Sequence, residues 1–213
     1  MSTTPTERPI LFNAPMVRAI LAGTKPQTRR IAPISRLDTR PLGDGMIAWS
    51  AHFAKPLKGI NATHSGGRFT KEQTLSIIAS SHGPYGKPGD RLWVRETWAY
   101  GIHAMASARD EDGPFVYAAT DSTQHRLCEK WTPSIHMPRW ASRITLEITA
   151  VRVEKLQDIT DSDALAEGVD RTNTSIGGYA KERYKRLWNA INGDNAWDKN
   201  PWVWVVEFKR VTP

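Results

Sequence analysis

Six consecutive residues, Lys25-Pro26-Gln27-Thr28-Arg29-Arg30, gather an amine, a hydroxyl and two guanidinium groups at one turn. A threonine hydroxyl is a weak nucleophile until a neighbour takes its proton. Lys25 can do so if burial, or the nearby charges of Arg29 and Arg30, lower its pKa. If Lys25 stays charged, it suits stabilisation of an oxyanion instead. With residues 27–31 extended, Thr28 and Arg30 share one face and Gln27 and Arg29 the other. The same residue types also describe a solvated basic turn, and the segment alone leaves both readings open.

Local sequence explains how such a turn would be presented. A strand is expected at Pro9–Phe12, then a helix capped by Asn13, with Pro15 in its first turn and Met16, Val17, Ile20 and Leu21 on one face. Gly23 tolerates the positive φ that ends such a helix. Pro26 lets a strand begin nearby but not run through it as a central strand. A carboxylate-bearing site comes later. Thr160-x-x-Asp163 reads as a capping box and Gly168 as the stop, leaving Glu167 as the last residue of a short helix. A carboxylate there opposes the helix dipole by roughly 0.3–1 kcal/mol if exposed.

Further along, the turn Gly86-Lys87-Pro88-Gly89-Asp90 precedes an alternating strand, Arg91 to Thr97. Leu92, Val94 and Glu96 face one way, and Glu96 is expected to pair with an arginine such as Arg30. A strand is expected at Phe115–Ala119 and a loop with Trp131 at 121–135. In Ser134–Arg143, His136, Arg139, Trp140 and Arg143 cluster around Pro138; a base could stack on Trp140 while Arg139 or Arg143 meets a phosphate, or Trp140 could instead plug a barrel end. Arg143–Val153 alternates with a shift of register before Val151, the sign of a bulge. A Gly/Asn/Thr loop at 169–178 leads to an amphipathic helix, Tyr179–Asn192, with Lys181, Arg183, Lys185 and Arg186 on its polar side. A central strand, Trp202–Val211, closes the chain. Residues 32–86 show little apolar periodicity and are read as one long insertion with weak local order, apart from a short element at Thr74–Ala79.

The totals bound the class. The chain has 213 residues, 39% hydrophobic and 24% charged, with a formal net charge of +7. This composition belongs to a globular domain, and the charge favours polyanionic partners. Nine tryptophans could offer stacking surfaces, although Trp202 and Trp204 read as core. The single cysteine, Cys128, allows no internal disulfide and suits a reducing cytoplasm. No secretory signal, membrane span or paired zinc-ligand spacing is expected.

Taken together, Gly23-x-Lys25-x-x-Thr28-x-Arg30, the element order and the stretches Pro88–Glu96 and His136–Trp140 resemble the ASCH domain family of the PUA-like superfamily, in particular its phage and prophage members. The resemblance covers residues 9–31 and about 86–211. It implies one α+β domain over 1–213, a mostly antiparallel PUA-like β-barrel with flanking helices, with the insertion at about 32–86 lying outside the family's pattern. Thr28, where much of the family has glutamate, matches the branch of small amidohydrolases that deacetylate N(4)-acetylcytidine. Their lysine, threonine and glutamate correspond to Lys25, Thr28 and Glu167, and Val206-Glu207-Phe208-Lys209 is similar to their ending. The expectation is therefore a cofactor-free, metal-free hydrolase of an acylated base, with Arg29, Arg30, His136, Arg139, Trp140 and Arg143 toward substrate or nucleic acid. The partner would be a nucleoside or single-stranded nucleic acid, and the location the cytoplasm, a host's if the chain is phage-encoded. The alternatives are a non-catalytic RNA- or modified-nucleotide-binding module, or a ribonuclease.

Overall fold

The computed structural model describes residues 5–44, 46–54, 63–101, 114–121, 128, 130–169 and 179–211. Of the expected loop at 169–178 all but residue 169, and part of that at 121–135, lie outside them.

The element that organises the rest is a five-stranded sheet in the order β1-β6-β9-β10-β2. Its strands are β1 (Glu7–Leu11), β2 (Gln27–Ile31), β6 (Arg91–Arg95), β9 (Thr145–Lys155) and β10 (Trp202–Val211). Only the β1–β6 pair is parallel; the other three are antiparallel. Helix α1 (Ala14–Leu21) joins β1 to β2, and so carries the chain from one edge of this sheet to the other. Asn13 caps α1 by accepting from the Met16 N–H, and Gly23 ends it at φ +72°. The long pair β9–β10 breaks register where Glu207 opposes Ala150 and Phe208 opposes Ile148, leaving Thr149 as the extra residue. This is the bulge that the shift of apolar register in the sequence indicates.

The expected α+β class and antiparallel preference hold. Closure into a barrel does not follow: β1 and β2 remain unjoined edges, and no closed barrel forms among the described residues.

Residues 32–86 depart furthest from expectation. They form a three-stranded antiparallel sheet, β3 (Ile34–Gly43), β4 (Met46–Phe53) and β5 (Thr63–Phe69), followed by helix α2 (Lys71–His82). The short element at Thr74–Ala79 is the middle of α2. Thr70 and Gln73 make a reciprocal capping box at its start, a signal present in the sequence. Apolar periodicity is weak here because β3 is an exposed edge and α2 buries only part of one face. Trp49, Ala51, Phe53, Ile78 and Ala79 nevertheless enter the same core as Ile10, Leu92, Leu146 and Trp204.

Two layers of apolar side chains flank β10. Trp204, Val206 and Phe208 join that large core, whereas Val203 and Val205 join a second one with Leu156, Ala164, Tyr184, Trp188 and Trp197. The second core sits under α4 (Asp161–Ala166) and α5 (Tyr179–Asn192). A small third unit pairs β7 (Trp98–Tyr100) with β8 (Phe115–Tyr117), which runs on into the one-turn helix α3 (Ala118–Asp121). There Trp98, Tyr100, Phe115 and Trp140 pack ring against ring, with centroids 5.3–6.4 Å apart.

A shared core makes the 32–86 region a stability determinant of the whole domain. Ile78→Ala should lower unfolding stability by about 2–5 kcal/mol in a single transition followed by urea and circular dichroism. A separate early transition with an unmoved main midpoint would show the region to be an appendage.

Candidate functional site

The phase of β2 fixes what its side chains can reach. Cross-strand partners point to the same side of a sheet, and Thr28 pairs with Val206 whereas Arg29 pairs with Val205. Thr28 and Arg30 thus face the large core and Gln27 and Arg29 the α4 side, as strand alternation predicts. Ladder bonds from Ala32 N–H to the Trp202 carbonyl and from Phe208 N–H to the Pro26 carbonyl set the hydrogen-bonding phase. The backbone groups of Gln27, Arg29 and Ile31 consequently point away from β10, along the free rim of the sheet.

Glu167 is brought to this rim by the short helix α4. Thr160 and Asp163 form the expected capping box, and Gly168 ends the turn at φ +83°. Glycine is needed there twice over: a Cβ would also lie 3.0 Å from Ala19 Cβ and 3.2 Å from Lys25 Cβ. The close approach lets Lys25 Nζ donate to Glu167 Oε2 at 2.8 Å and to the Glu167 carbonyl at 2.7 Å. The second bond satisfies a carbonyl at the negative end of α4. Arg29 Nη1 takes the other carboxylate oxygen, Oε1, at 3.1 Å. Lys25, Arg29 and Glu167 are all buried.

Behind this trio lies a wider ionic network. Arg29 also donates to Glu154 from Nε at 3.0 Å and Nη2 at 2.6 Å, and approaches Asp163 at 3.4 Å. Gln27 donates to the Asp163 carbonyl and carboxylate. Arg152 closes the circuit through Glu154, Asp163 and Glu207. Burial pushes the Lys25 ammonium below the usual lysine range, against the pull of Glu167. Burial also disfavours charge on Arg29, but Glu167 and Glu154 outweigh it and hold the guanidinium firmly charged. For Asp163, burial acts upward; bonds from Thr160 and the charge of Arg29 prevail and hold its carboxyl below the ordinary value. Burial pushes the Tyr184 hydroxyl well up, so it stays protonated.

Two adjoining cavities open beside Glu167. A narrow one of about 50 Å³ runs along the β2 rim between Thr28, Arg29, Arg30, Glu167, Tyr184 and Trp188. A wider one of about 410 Å³ lies between Asn13, Met16, Glu167, Arg183 and Leu187. Met16, Glu167 and Leu187 border both. Thr28 is among the residues of the narrow wall. Lys25 is on neither wall; it sits behind Glu167. The structure therefore joins Lys25 to Glu167 directly and places Thr28 and Glu167 around one cavity.

The remaining expected residues divide. Arg29 and Arg30 reach this site; Arg30 also donates to the Leu11 carbonyl and lies over the Phe12 ring. His136, Arg139, Trp140 and Arg143 line neither cavity and belong to the β7–β8 unit. Arg139 is paired with Glu7 at 2.9 Å. The expected Glu96–Arg30 pair is replaced by a two-pronged bond from Arg143, Nε to Oε1 and Nη2 to Oε2, both 2.9 Å. Glu96 directly follows β6, which β9 and β10 separate from β2 in the sheet order. Trp140 plugs no barrel; it packs edge-on against Trp98. Glu154, Tyr184 and Trp188 were not expected at the site: Tyr184 and Trp188 read as part of the apolar face of the helix at 179–192, and Glu154 directly follows the expected strand Arg143–Val153.

Comparison of the chain with protein families, curated proteins and solved structures finds no match.

Two measurements check the electrostatics. Arg29→Ala leaves the buried Glu167 short of one partner and should cost about 3–5 kcal/mol in urea denaturation; a loss below about 1 kcal/mol would mean solvent reaches the carboxylate. Because the folded Asp163 pKa is depressed, its stabilising contribution is complete above about pH 4 and lost as pH falls through the depressed value. Wild type should therefore lose stability more steeply than Asp163→Asn between about pH 4 and pH 2. Parallel curves would remove Asp163 from the network.

Proposed function

We propose that this chain is an ASCH-type protein of the PUA-like class that hydrolyses the acyl amide of a modified base, with an N(4)-acylated cytidine as the substrate type. The observation that carries the reading is the buried Lys25–Glu167 pair, with Glu167 and Thr28 among the residues that line one cavity. The spacing Gly23-x-Lys25-x-x-Thr28-x-Arg30 supports it from the sequence side. The wider cavity lies within the ~300–1,000 Å³ range of small-molecule sites and suits a nucleoside body.

In this reading Thr28 Oγ forms a bond to the acyl carbon while its proton passes to Glu167. Collapse of the adduct breaks the C–N bond, and the leaving amine takes that proton from Glu167. Water then attacks the threonine ester, gives a proton to Glu167, and releases a carboxylic acid as the proton returns to Thr28. One water is consumed, and the products are the free amine and the acid. Lys25 acts from behind: its two bonds to Glu167 fix the carboxylate.

A second reading rests on a different observation. Tyr100 and Trp140 are each more than a third exposed, with ring centroids 6.4 Å apart, an arrangement that suits stacking of unpaired bases without catalysis.

The decisive assay is release of the acyl group from N(4)-acetylcytidine. Thr28→Ala should reduce turnover to background, Glu167→Gln should reduce it by roughly 10²–10⁴-fold, and Thr28→Ala combined with Lys25→Ala should be no worse than Thr28→Ala alone. Near-normal turnover in Thr28→Ala would reject it as nucleophile. A folded wild type that turns over no acylated nucleoside, yet binds single strands with an affinity falling about 0.7 log units per log unit of salt for each phosphate contact, would favour the binding module.

A further inference from the structure

The wide cavity holds polar groups for which hydrolysis of an amide has no use. Besides the apolar Pro15, Met16, Val169 and Leu187, its wall contains Asn13, Glu167 and Arg183. Glu167 is already answered, one oxygen by Lys25 and the other by Arg29. Asn13 spends its side-chain oxygen on the α1 cap, where it accepts from the Met16 N–H. Its amide nitrogen, a donor only, is what it has left to offer a ligand. Arg183 adds a permanently charged fork of N–H donors, enough to serve a ligand alongside any bond within the protein. The polar groups of this wall that remain for a ligand are therefore donors, and one of them is a cation.

The order of residues along α5 says where that cation lies. Arg183, Leu187 and Ile191 are spaced i, i+4 and i+8 and form one stripe of the helix. Arg183 lines the wide cavity, Ile191 the narrow one, and Leu187 both. Arg183 thus stands one turn, about 6 Å, beyond Leu187 on the side away from the narrow cavity. Size permits a ligand that reaches that far. A water-sized sphere needs roughly 10–15 Å³, so the volume of about 410 Å³ takes roughly thirty of them, more than the roughly twenty non-hydrogen atoms of a pyrimidine nucleotide. Charge agrees with the donors: the two cavities are lined by Arg29, Arg30 and Arg183 against the single carboxylate of Glu167, and a cleft of one sign concentrates ligands of the other.

We infer that the wide cavity is a phosphate-bearing subsite in which Arg183 and the Asn13 amide take the phosphate, so that the ligand of this chain is a nucleotide and not a free nucleoside. A guanidinium matches two phosphate oxygens at once, and a neutral nucleoside offers it no such partner. The apolar part of the wall, Pro15, Met16 and Leu187, suits the ribose and base between the phosphate and Glu167. The inference rests on the amidohydrolase reading for the identity of the base, but its phosphate claim stands on the cavity alone. The phosphate is a monoester in a mononucleotide and a diester in a strand, and Arg183 offers the same contact to either.

The test is isothermal titration calorimetry on the full chain with cytidine, cytidine 5′-monophosphate and a cytidine trinucleotide. At low salt a phosphate ligand should bind about 10–100-fold more tightly than cytidine, and the advantage should shrink as salt rises. Arg183→Gln should bring the ratio of the two affinities toward one. Asn13→Asp keeps an acceptor for the α1 cap but replaces the amide donors by a negative charge, so it should lower the same ratio. Tighter binding of the trinucleotide than of the monophosphate would assign the phosphate to a strand, and the reverse to a mononucleotide. Equal affinity for cytidine and both phosphate ligands, no measurable binding of either phosphate ligand, or an advantage that survives both substitutions overturns the inference. A phosphate advantage abolished by Arg183→Gln, without turnover of N(4)-acetylcytidine or its 5′-monophosphate, would retain the subsite and reject the amidohydrolase function. Turnover of both at equal kcat/KM, in wild type and in Arg183→Gln alike, would do the reverse.

Discussion

A buried carboxylate is tolerable only when its charge is answered, and Glu167 is the case on which this structure turns. One oxygen is held by Lys25 and the other by Arg29. An isolated ion of this kind would cost several kcal/mol even after relaxation. The two cations come from the same turn and strand, so the pairing also staples α4 to the edge of the main sheet. Gly168 makes it geometrically possible, by letting α4 end against Lys25 where any side chain would collide. The third layer, Glu154, Asp163 and Arg152, keeps Arg29 from swinging away and leaves Glu167 as the member of the network that borders both cavities.

The cavities themselves follow from topology. Because β2 pairs only with β10, one side of its backbone remains unpaired in the sheet. Residues of α1 and α5 face that rim, and the space between is what the cavities occupy. Edge strands usually need protection against pairing with another chain. Here Pro26 at the start of β2 and the neighbouring helices supply it, so an otherwise hazardous feature becomes the wall of a site.

Charge is a poorer guide to partners than the total of +7 suggests. Arg29, Arg139, Arg143 and Arg152 are each committed to carboxylates, and Arg143 also lies 3.9 Å over the Tyr117 ring. Arginines that looked available for phosphate in Ser134–Arg143 instead fasten the β7–β8 unit to the sheet. Tyr100 and Trp140 keep more than a third of their surface exposed there.

Much of the fold was legible because its signals are local. The Asn13 cap, Gly23, the Thr160–Asp163 box, Gly168, the amphipathic face of 179–192 and the register shift in β9 each depend on residues a few positions apart, and each is where the sequence puts it. The alternation of β2 likewise told which side chains would travel together. What the sequence could not decide was distance across the fold. Glu96 meets Arg143 and not Arg30, the sheet stays open, and residues 32–86 join the main core, because each outcome depends on how strands far apart in the chain are ordered side by side. The meeting of Lys25 with Glu167, 142 positions away, is of the same kind. Its residue types could be read in advance, but its geometry comes only from placing the end of α4 against the free rim of β2.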